Sequence, residues 1–219
     1  MKKLVLATFI VLTYSISNAQ NIRTFNTIEL GTSLSKQTNQ YSLFWGETLQ
    51  LKSPLPVRFL TGLRYSLTGI NKGTLTGVVE STLSTLTFDK KAWYHSFAIP
   101  VGLEFFHKGF AIGAFQEVFS LSGKKKFNDT FSNTINASVP FLKEGENMRT
   151  QGLSSVFGSK KNLTGGVYVS YTFNDSFSIK AGYSTIHSTF TKSNEKGDLA
   201  YTRLRDNNFN LGIRLNIEK

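Results

Sequence analysis

Apolar residues stand on every second position in several stretches of the chain, most clearly in the last one, FNLGIRLNIEK. From Phe209 to Ile217 every odd position is apolar, and polar or small residues, among them Arg214, lie between. Successive side chains of a β-strand point to opposite faces of a sheet, so this alternation predicts a strand with one apolar face. The stretch alone leaves open whether that face meets a protein core or lipid.

The same alternation predicts eight strands and no helix. The strands are expected at 22–35, 41–52, 57–70, 93–107, 110–123, 163–174, 176–190 and 208–217. Their connections alternate in length: three are short turns, whereas 71–92, 124–162 and 191–207 are long. Short turns at one end and long loops at the other are typical of single-chain outer-membrane barrels. The sequence therefore predicts an all-β fold, an eight-stranded antiparallel up-and-down transmembrane β-barrel with short periplasmic turns and long extracellular loops.

The polar face of the predicted strands carries charges of both signs. These residues are Glu29, Arg58, Arg64, Glu104, Glu117, Lys180 and Arg214. Eight strands make a barrel just wide enough for side chains to fill, and an unpaired buried charge is costly. We therefore predict a lumen charge network of these residues that rigidifies the barrel and leaves no open channel. After closure, Glu29 on the first strand is the expected partner of Arg214 on the last.

Two strands leave their register open. In the second, Glu47 shares the parity of the apolar Trp45 and faces lipid unless a β-bulge intervenes. In the fifth, the apolar parity changes after Ala114, so Glu117 faces the lumen only if Phe115 and Phe119 do as well.

Aromatic residues lie near the ends of the predicted strands, where the aromatic girdles of membrane barrels sit. They are Tyr41, Trp45, Trp93, Tyr94, Tyr171, Phe173, Phe177, Tyr183 and Phe190. The alternative is the ordinary preference of aromatic residues for strands.

The first residues predict export. Two lysines precede an apolar stretch, 4–12, and Ala19 ends a small-x-small cleavage site. This pattern is typical of a signal peptide over 1–19, followed by an outer-membrane β-barrel domain over 20–219. The apolar run is shorter than the roughly 18 residues that a spanning helix needs. Loss of the two lysines lowers the formal net charge from +11 to +9.

The signal sequence, the eight strands and the segment SFAIPVGLEF (96–105) with its Ile99-Pro100 pair resemble the small outer-membrane β-barrels of Gram-negative bacteria. That group includes the porin-family, PorT-like and OmpA/OmpX-type eight-stranded barrels. The segments GVYVSYTF (166–173) and SIKAGYS (178–184) are similar to strands of the same group. The resemblance covers nearly the whole chain after residue 20. It implies the bacterial outer membrane as the location, after signal-peptide cleavage. One departure is the last residue, which is Lys219 where many such barrels have an aromatic residue.

The histidines do not indicate chemistry. His95, His107 and His187 have no metal-binding spacing, and the chain has no cysteine. His187 precedes Ser188, but neighbouring side chains of a strand diverge, so a nucleophilic pair is not expected. We predict no enzyme, no catalytic residue, no metal and no cofactor.

Basic residues gather in the longest loop. They are Lys124, Lys125, Lys126, Lys160 and Lys161. One interpretation is a surface-loop basic patch that binds anionic lipopolysaccharide headgroups or an acidic partner, and the other is a solvated loop flank. The expected partners are outer-membrane lipid and lipopolysaccharide, and other envelope proteins are a second possibility. No nucleic-acid partner is expected, and the chain is expected to be a monomer.

The function predicted first is that of a structural or surface-interaction protein that acts through its long loops. The alternative is a transport or secretion accessory barrel that passes or senses a small hydrophobic solute. Two lower alternatives are a lipid-modifying barrel enzyme and a soluble ligand-binding barrel, in which the apolar face would line the cavity.

Overall fold

The computed structural model of the chain describes a defined set of residues. These are 22–51, 56–71, 73–79, 82–88, 91–123, 131–134, 147–150, 152–157, 162–174, 176–194 and 197–218. No helix in this part of the chain is long and apolar enough to cross a membrane. The predicted signal peptide, 1–19, lies outside the described residues.

Thirteen strands within the described residues form one antiparallel sheet. They are β1 (Ile22–Leu34), β2 (Thr38–Leu51), β3 (Val57–Ile70), β4 (Gly73–Val79), β5 (Thr82–Phe88), β6 (Ala92–His107), β7 (Phe110–Ser122), β8 (Phe131–Thr134), β9 (Asn147–Thr150), β10 (Leu153–Ser155), β11 (Leu163–Phe173), β12 (Phe177–Asn194) and β13 (Gly197–Glu218). Eight of them, β1, β2, β3, β6, β7, β11, β12 and β13, pair in that order, and β13 pairs back to β1. The predicted fold class, a closed eight-stranded up-and-down barrel, is confirmed.

The barrel strands are strongly staggered. A row of paired residues that starts at Asn26 on β1 and follows each neighbour around the barrel reaches Asn207 on β13. Asn26 itself pairs with Ile217, ten residues further along β13. A shear of this size over eight strands tilts them by about 40–45° from the barrel axis.

The segments predicted as long loops contain paired strands. β12 and β13 continue as one hairpin through most of 191–207, so the prediction of a loop there is wrong. In 71–92, β4 and β5 form a hairpin, and β4 pairs with β13 at Tyr201 and Thr202. In 124–162, β8, β9 and β10 pair with β5, β12 and β7. The sheet therefore extends beyond the barrel at the end that bears the long connections.

A single β-bulge determines the faces of β7. Pro100 pairs with Glu117 and Ile99 pairs with Phe119, so Val118 is the extra residue. Proline has no N–H to donate to the ladder, and bulges are among the few places where a sheet accepts it. Glu117 is buried in the lumen although Phe119 lies outside. Phe115 lies on the lumen side with Glu117, as expected. The expectation that Phe119 would share this face is wrong, because the bulge changes the parity between Glu117 and Phe119.

β2 has no such irregularity. It pairs with β1 from Asn39 to Leu51 without a register shift, and Glu47 is exposed on the outer face. Of the two possibilities, an outward Glu47 or a bulge near it, the structure has the first.

The outer face of the barrel is apolar and the inner face is polar. On β13 the row from Phe209 to Ile217 is 43–47% exposed, whereas Arg214 between them is 3% exposed. On β6 the row from Phe97 to Phe105 is exposed and Glu104 is fully buried. This distribution is the reverse of that in a soluble ligand-binding barrel.

Candidate functional site

Glu29 holds two cations in the lumen. It faces Arg214 across the β1–β13 seam. Arg214 donates to Glu29 Oε2 from Nη2 at 2.9 Å and from Nε at 3.1 Å, and Lys180 Nζ donates to Oε1 at 2.7 Å. All three side chains are less than one tenth exposed. Both carboxylate oxygens of Glu29 are therefore paired with a buried cation.

Arg214 joins this group to a second carboxylate. Its Nη1 donates to Glu104 Oε1, which also accepts the Tyr168 hydroxyl at 2.7 Å. Arg58 Nη1 lies 3.9 Å from Glu104 Oε2, so Arg58 forms the far end of the chain of charges. The order is cation, carboxylate, cation, carboxylate, cation, and it links β12, β1, β13, β6 and β3.

A second, smaller pair lies further from the short turns. Arg64 Nη1 is 3.5 Å from Glu117 Oε1, and Glu117 Oε2 accepts the backbone N–H of Thr164 at 2.7 Å. Arg64 Nε is buried without a hydrogen-bond partner among the described residues. This pair ties β3 to β7 and β11.

Two lumen aromatic rings cover the cations. Lys180 Nζ lies 3.8 Å from the centre of the Tyr168 ring, and the Arg64 guanidinium lies 4.4 Å from that of Phe115. Such cation–π contacts are strengthened where water is excluded. Tyr168 fits because it pairs with Gly113: a Cβ there would be 2.6 Å from Tyr168 Cζ. The sequence leaves the face of Phe115 open and does not predict its contact with Arg64. The sequence signal for the position of the Tyr168 ring is Gly113 on the facing strand.

The structure places all seven residues of the predicted lumen charge network inside the barrel. Five of them form the chain from Lys180 to Arg58, and Arg64 and Glu117 form the separate pair. Four cations face three carboxylates, which leaves one positive charge in this network. The residues predicted as a surface-loop basic patch lie outside the described residues: Lys124, Lys125, Lys126, Lys160 and Lys161.

The space left among these side chains is small. One cavity of about 20 Å³ is lined by Glu29, Arg64, Tyr168, Lys180 and Arg214 among others. A second, of about 30 Å³, lies between Gln40, Arg64 and Lys180. Volumes of this size hold one or two water molecules. Neither cavity has room for an organic solute.

Hydrogen-bonded polar layers lie above and below the charges. Near the short turns, the Thr27 hydroxyl is 2.7 Å from that of Thr48 and donates to Asn216 Oδ1 at 3.1 Å. Near the long connections, the hydroxyls of Tyr94 and Ser188 are 2.5 Å apart. Both ends of the lumen are thus occupied by side chains.

Two of the residues predicted for the aromatic girdles belong to this inner packing. Tyr94 is 3% exposed and Phe190 is fully buried, with an edge-on contact between their rings. Their assignment to the outer girdle is wrong, because both stand on the inward parity of their strands.

The histidines do not meet a serine nucleophile in the predicted neighbouring positions. His95 is exposed on the outer face, and Ser96 is buried inside. Ser188 is buried against Tyr94, on the face opposite to its neighbour His187. No group of three or more metal-ligating side chains occurs within the described ranges.

The architecture is that of the small eight-stranded barrels of the outer membrane. No protein-family model matches the chain, and no curated protein matches it. Three solved structures are similar to the chain. Neisserial surface protein A has 12% identity, with 89% of this chain and 96% of that chain covered and a TM-score of 0.38, and a major outer membrane protein from Thermus thermophilus has 10% identity, with 90% and 100% covered and a TM-score of 0.40. Ail, the attachment invasion locus protein of Yersinia pestis, in complex with the heparin analogue sucrose octasulfate, has 13% identity, with 90% and 96% covered and a TM-score of 0.31. The fold assignment rests on the strand pairing described above.

Proposed function

We propose that the chain is an integral barrel of the bacterial outer membrane, with a lumen filled by side chains, and that it acts as a structural and surface-interaction protein through its long connections. The observation that carries this proposal is the reversed distribution of side chains, with large apolar residues outside and paired charges inside.

The height of the apolar surface suits a membrane. The exposed row on β6 runs from Phe97 to Phe105. Nine residues of a strand tilted by about 40–45° rise roughly 20 Å along the barrel axis. The apolar band of outer-membrane barrels is about 25 Å tall. In water, so large an exposed apolar surface would drive aggregation.

Aromatic side chains lie at both edges of this surface. Near the short turns, the Tyr171 ring is 4.7 Å from the rings of both Phe110 and Phe173. At the opposite end, Tyr41 and Trp93 stack with their centres 6.1 Å apart. Aromatic girdles at the two lipid–water interfaces are typical of membrane barrels.

The filled lumen favours a structural role over passage of a solute. A transported molecule would have to displace buried ion pairs, and the cavities beside them have volumes of only about 20 and 30 Å³. Removing the partner of a buried charge costs several kcal/mol. The transport alternative therefore has no support from the described part of the lumen.

The remaining parts of the proposal concern export and partners. They are cleavage of a signal peptide over 1–19, a monomeric barrel domain over 20–219, and contact of the long connections with lipopolysaccharide or other envelope proteins. The lysines at 124–126 and 160–161 are the proposed basic patch for such contact.

Two measurements test the proposal. The chain refolded into phospholipid vesicles should resist SDS at room temperature and change its gel mobility only after boiling, and it should show no channel conductance in planar bilayers. A variant with Phe115→Ala and Tyr168→Ala, which empties the lumen of two rings, is the positive control for conductance. A soluble chain without a heat-dependent mobility shift refutes membrane insertion. Steady conductance by the unmodified chain refutes the filled lumen.

A further inference from the structure

An aromatic surface is built on the outer face of β2, β3 and β6, at the end that bears the long connections. Gly69 on β3 pairs with Asn39 on one side and Trp93 on the other. A Cβ on Gly69 would lie 2.7–2.8 Å from three atoms of the Trp93 six-membered ring. The indole therefore lies flat against the backbone of β3 and reaches Tyr41 on β2, with the two ring planes 21° apart.

Lys91 is held on this surface. Its ammonium nitrogen lies 4.5 Å from the centre of a Trp93 ring. In the amide orientation that satisfies both ends of the Asn39 side chain, Asn39 Oδ1 accepts from Lys91 Nζ at 3.2 Å. Among the described residues of these three strands, the outward carboxylate is Glu47, eight residues from Asn39 along β2. Lys91 thus has an aromatic and an amide partner here, and its positive charge is not neutralised by these contacts.

His95 adds a second donor two residues along β6. Its Nδ1 is 2.5 Å from the Tyr65 hydroxyl, and the two rings stack with centres 5.8 Å apart. In the neutral tautomer whose Nδ1 accepts, Tyr65 donates its hydroxyl to Nδ1. The other nitrogen, Nε2, then carries the proton and is left as a donor. Tyr65 therefore fixes which imidazole nitrogen can meet a ligand.

The surface directly below these donors is apolar. Phe97 and Leu43 are 48% and 44% exposed, and the Tyr65 ring lies 5.2 Å from that of Phe97. An amphipathic molecule would meet two nitrogen donors at one end and aromatic and aliphatic side chains along the rest. Aromatic residues and cations at this depth are the usual contacts of lipid headgroups.

We propose that this Trp93 platform (Tyr41, Tyr65, Lys91, Trp93 and His95) binds the phosphate group of a membrane lipid whose acyl chains lie on the apolar outer face of β3 and β6. The site rests on the proposed membrane insertion and is separate from the basic patch of the longest connection. Lys91 supplies the positive charge and His95 Nε2–H a directed hydrogen bond. Free inorganic phosphate has the same donors available to it but gains nothing from the apolar surface, so the lipid is the expected ligand.

The two tryptophans of the chain give a direct reporter. Trp45→Phe removes the other one, which lies on the outer face of β2 and is 66% exposed, and leaves Trp93 as the sole tryptophan. The full chain with this change is refolded into two kinds of phosphatidylcholine vesicle. One kind contains phosphatidic acid with brominated acyl chains, and the other contains brominated phosphatidylcholine at the same mole fraction. One cation near the membrane surface gives about 1 kcal/mol, or roughly a fivefold preference. We therefore expect the quenching of Trp93 fluorescence to show roughly a fivefold preference for brominated phosphatidic acid over brominated phosphatidylcholine.

The variants separate the site from general attraction of an anionic lipid. Lys91→Gln and His95→Gln should each lower the ratio of quenching by the two lipids to about one. Tyr65→Phe should cause a smaller decrease in this ratio, because His95 loses its orientation. Lys36→Gln is the matched control, since it removes an exposed cation from the same end of the barrel, and it should keep the preference. Equal loss with Lys36→Gln and Lys91→Gln overturns the site.

The remaining outcomes distinguish the site from membrane insertion. A heat-dependent mobility shift on the same vesicles reports insertion for every variant. Normal insertion with equal quenching by the two brominated lipids overturns the lipid site alone. Loss of the preference on addition of millimolar inorganic phosphate shows an anion site without lipid specificity, which also overturns it. Absence of the mobility shift in the unmodified chain overturns both the site and the proposed function.

Discussion

Glu29→Gln is the most informative change in the lumen. It removes the carboxylate that pairs with Lys180 at 2.7 Å and with Arg214 at 2.9 Å, and it raises the net charge of the network from +1 to +2. Removing one partner of a buried ion pair typically costs about 3–5 kcal/mol. Because Arg214 keeps its contact with Glu104, we expect the lower end of this range, about 3 kcal/mol in the free energy of unfolding.

Lys180→Met provides the contrast. It removes a cation from the same pair but leaves Glu29 with both hydrogen bonds from Arg214, and the network becomes neutral. An apolar side chain of similar length keeps the packing against Tyr168. Both Arg214 hydrogen bonds go to Oε2, so Glu29 Oε1 loses its partner, and we expect a cost of about 1–2 kcal/mol, smaller than for Glu29→Gln because the carboxylate keeps one cation. The double variant should be more stable than Glu29→Gln alone, which a double-mutant cycle measures directly.

The assay is reversible urea unfolding in phospholipid vesicles, followed by tryptophan fluorescence and by the heat-dependent gel shift. Glu47→Gln is the matched control, because it makes the same chemical change on the outer face of β2. It should alter the unfolding free energy by less than about 1 kcal/mol. If Glu29→Gln costs no more than Glu47→Gln, or no more than Lys180→Met, the lumen charges are individually solvated and do not stabilise the barrel.

Two further predictions concern backbone positions. Deleting Val118 removes the β7 bulge without changing any face, so the heat-shifted barrel should still form, whereas deleting Ile112 from the regular part of the same strand reverses the faces on one side of the gap and should abolish it; equal behaviour in the gel assay contradicts the bulge. Gly113→Ala puts a methyl 2.6 Å from Tyr168 Cζ and should cost about 1–3 kcal/mol. Gly123→Ala, where the nearest atom is 3.8 Å away, should change stability by less than about 0.5 kcal/mol, and equal costs in urea unfolding would show that Tyr168 is not held against β7.

Strand alternation predicts the barrel well because each barrel strand keeps one apolar and one polar face over most of its length. The bounds of β3, 57–70, are predicted to the residue, and those of β1 to within one residue. Alternation fails as a guide beyond residue 190 on β12 and before residue 208 on β13. There, and in β4 and β5, strands pair beyond the barrel. The sequence is rich in charged residues at 191–207 and in threonine in β4 and β5, and neither keeps a sustained apolar face.

The inner contacts are predictable only in part. The pairing of Glu29 with Arg214 can be predicted from the sequence, because closure of an eight-stranded barrel makes the first and last strands neighbours. The contact between Arg214 and Glu104 crosses the lumen, and its existence depends on stagger and side-chain length, which no spacing in the sequence reveals. The bulge at Val118 has a sequence signal, Pro100 on the facing strand, but its exact position follows from the pairing alone.

The chain separation of the lumen contacts has a kinetic consequence. Glu29 is 151 residues from Lys180 and 185 residues from Arg214. These ion pairs can form only after the last two strands have reached the first, so we expect them to be absent from the rate-limiting step of assembly. Interactions that form after the transition state slow unfolding without speeding folding. The charged lumen would then govern how long an assembled barrel persists, while the rate at which barrels appear depends on the strands alone.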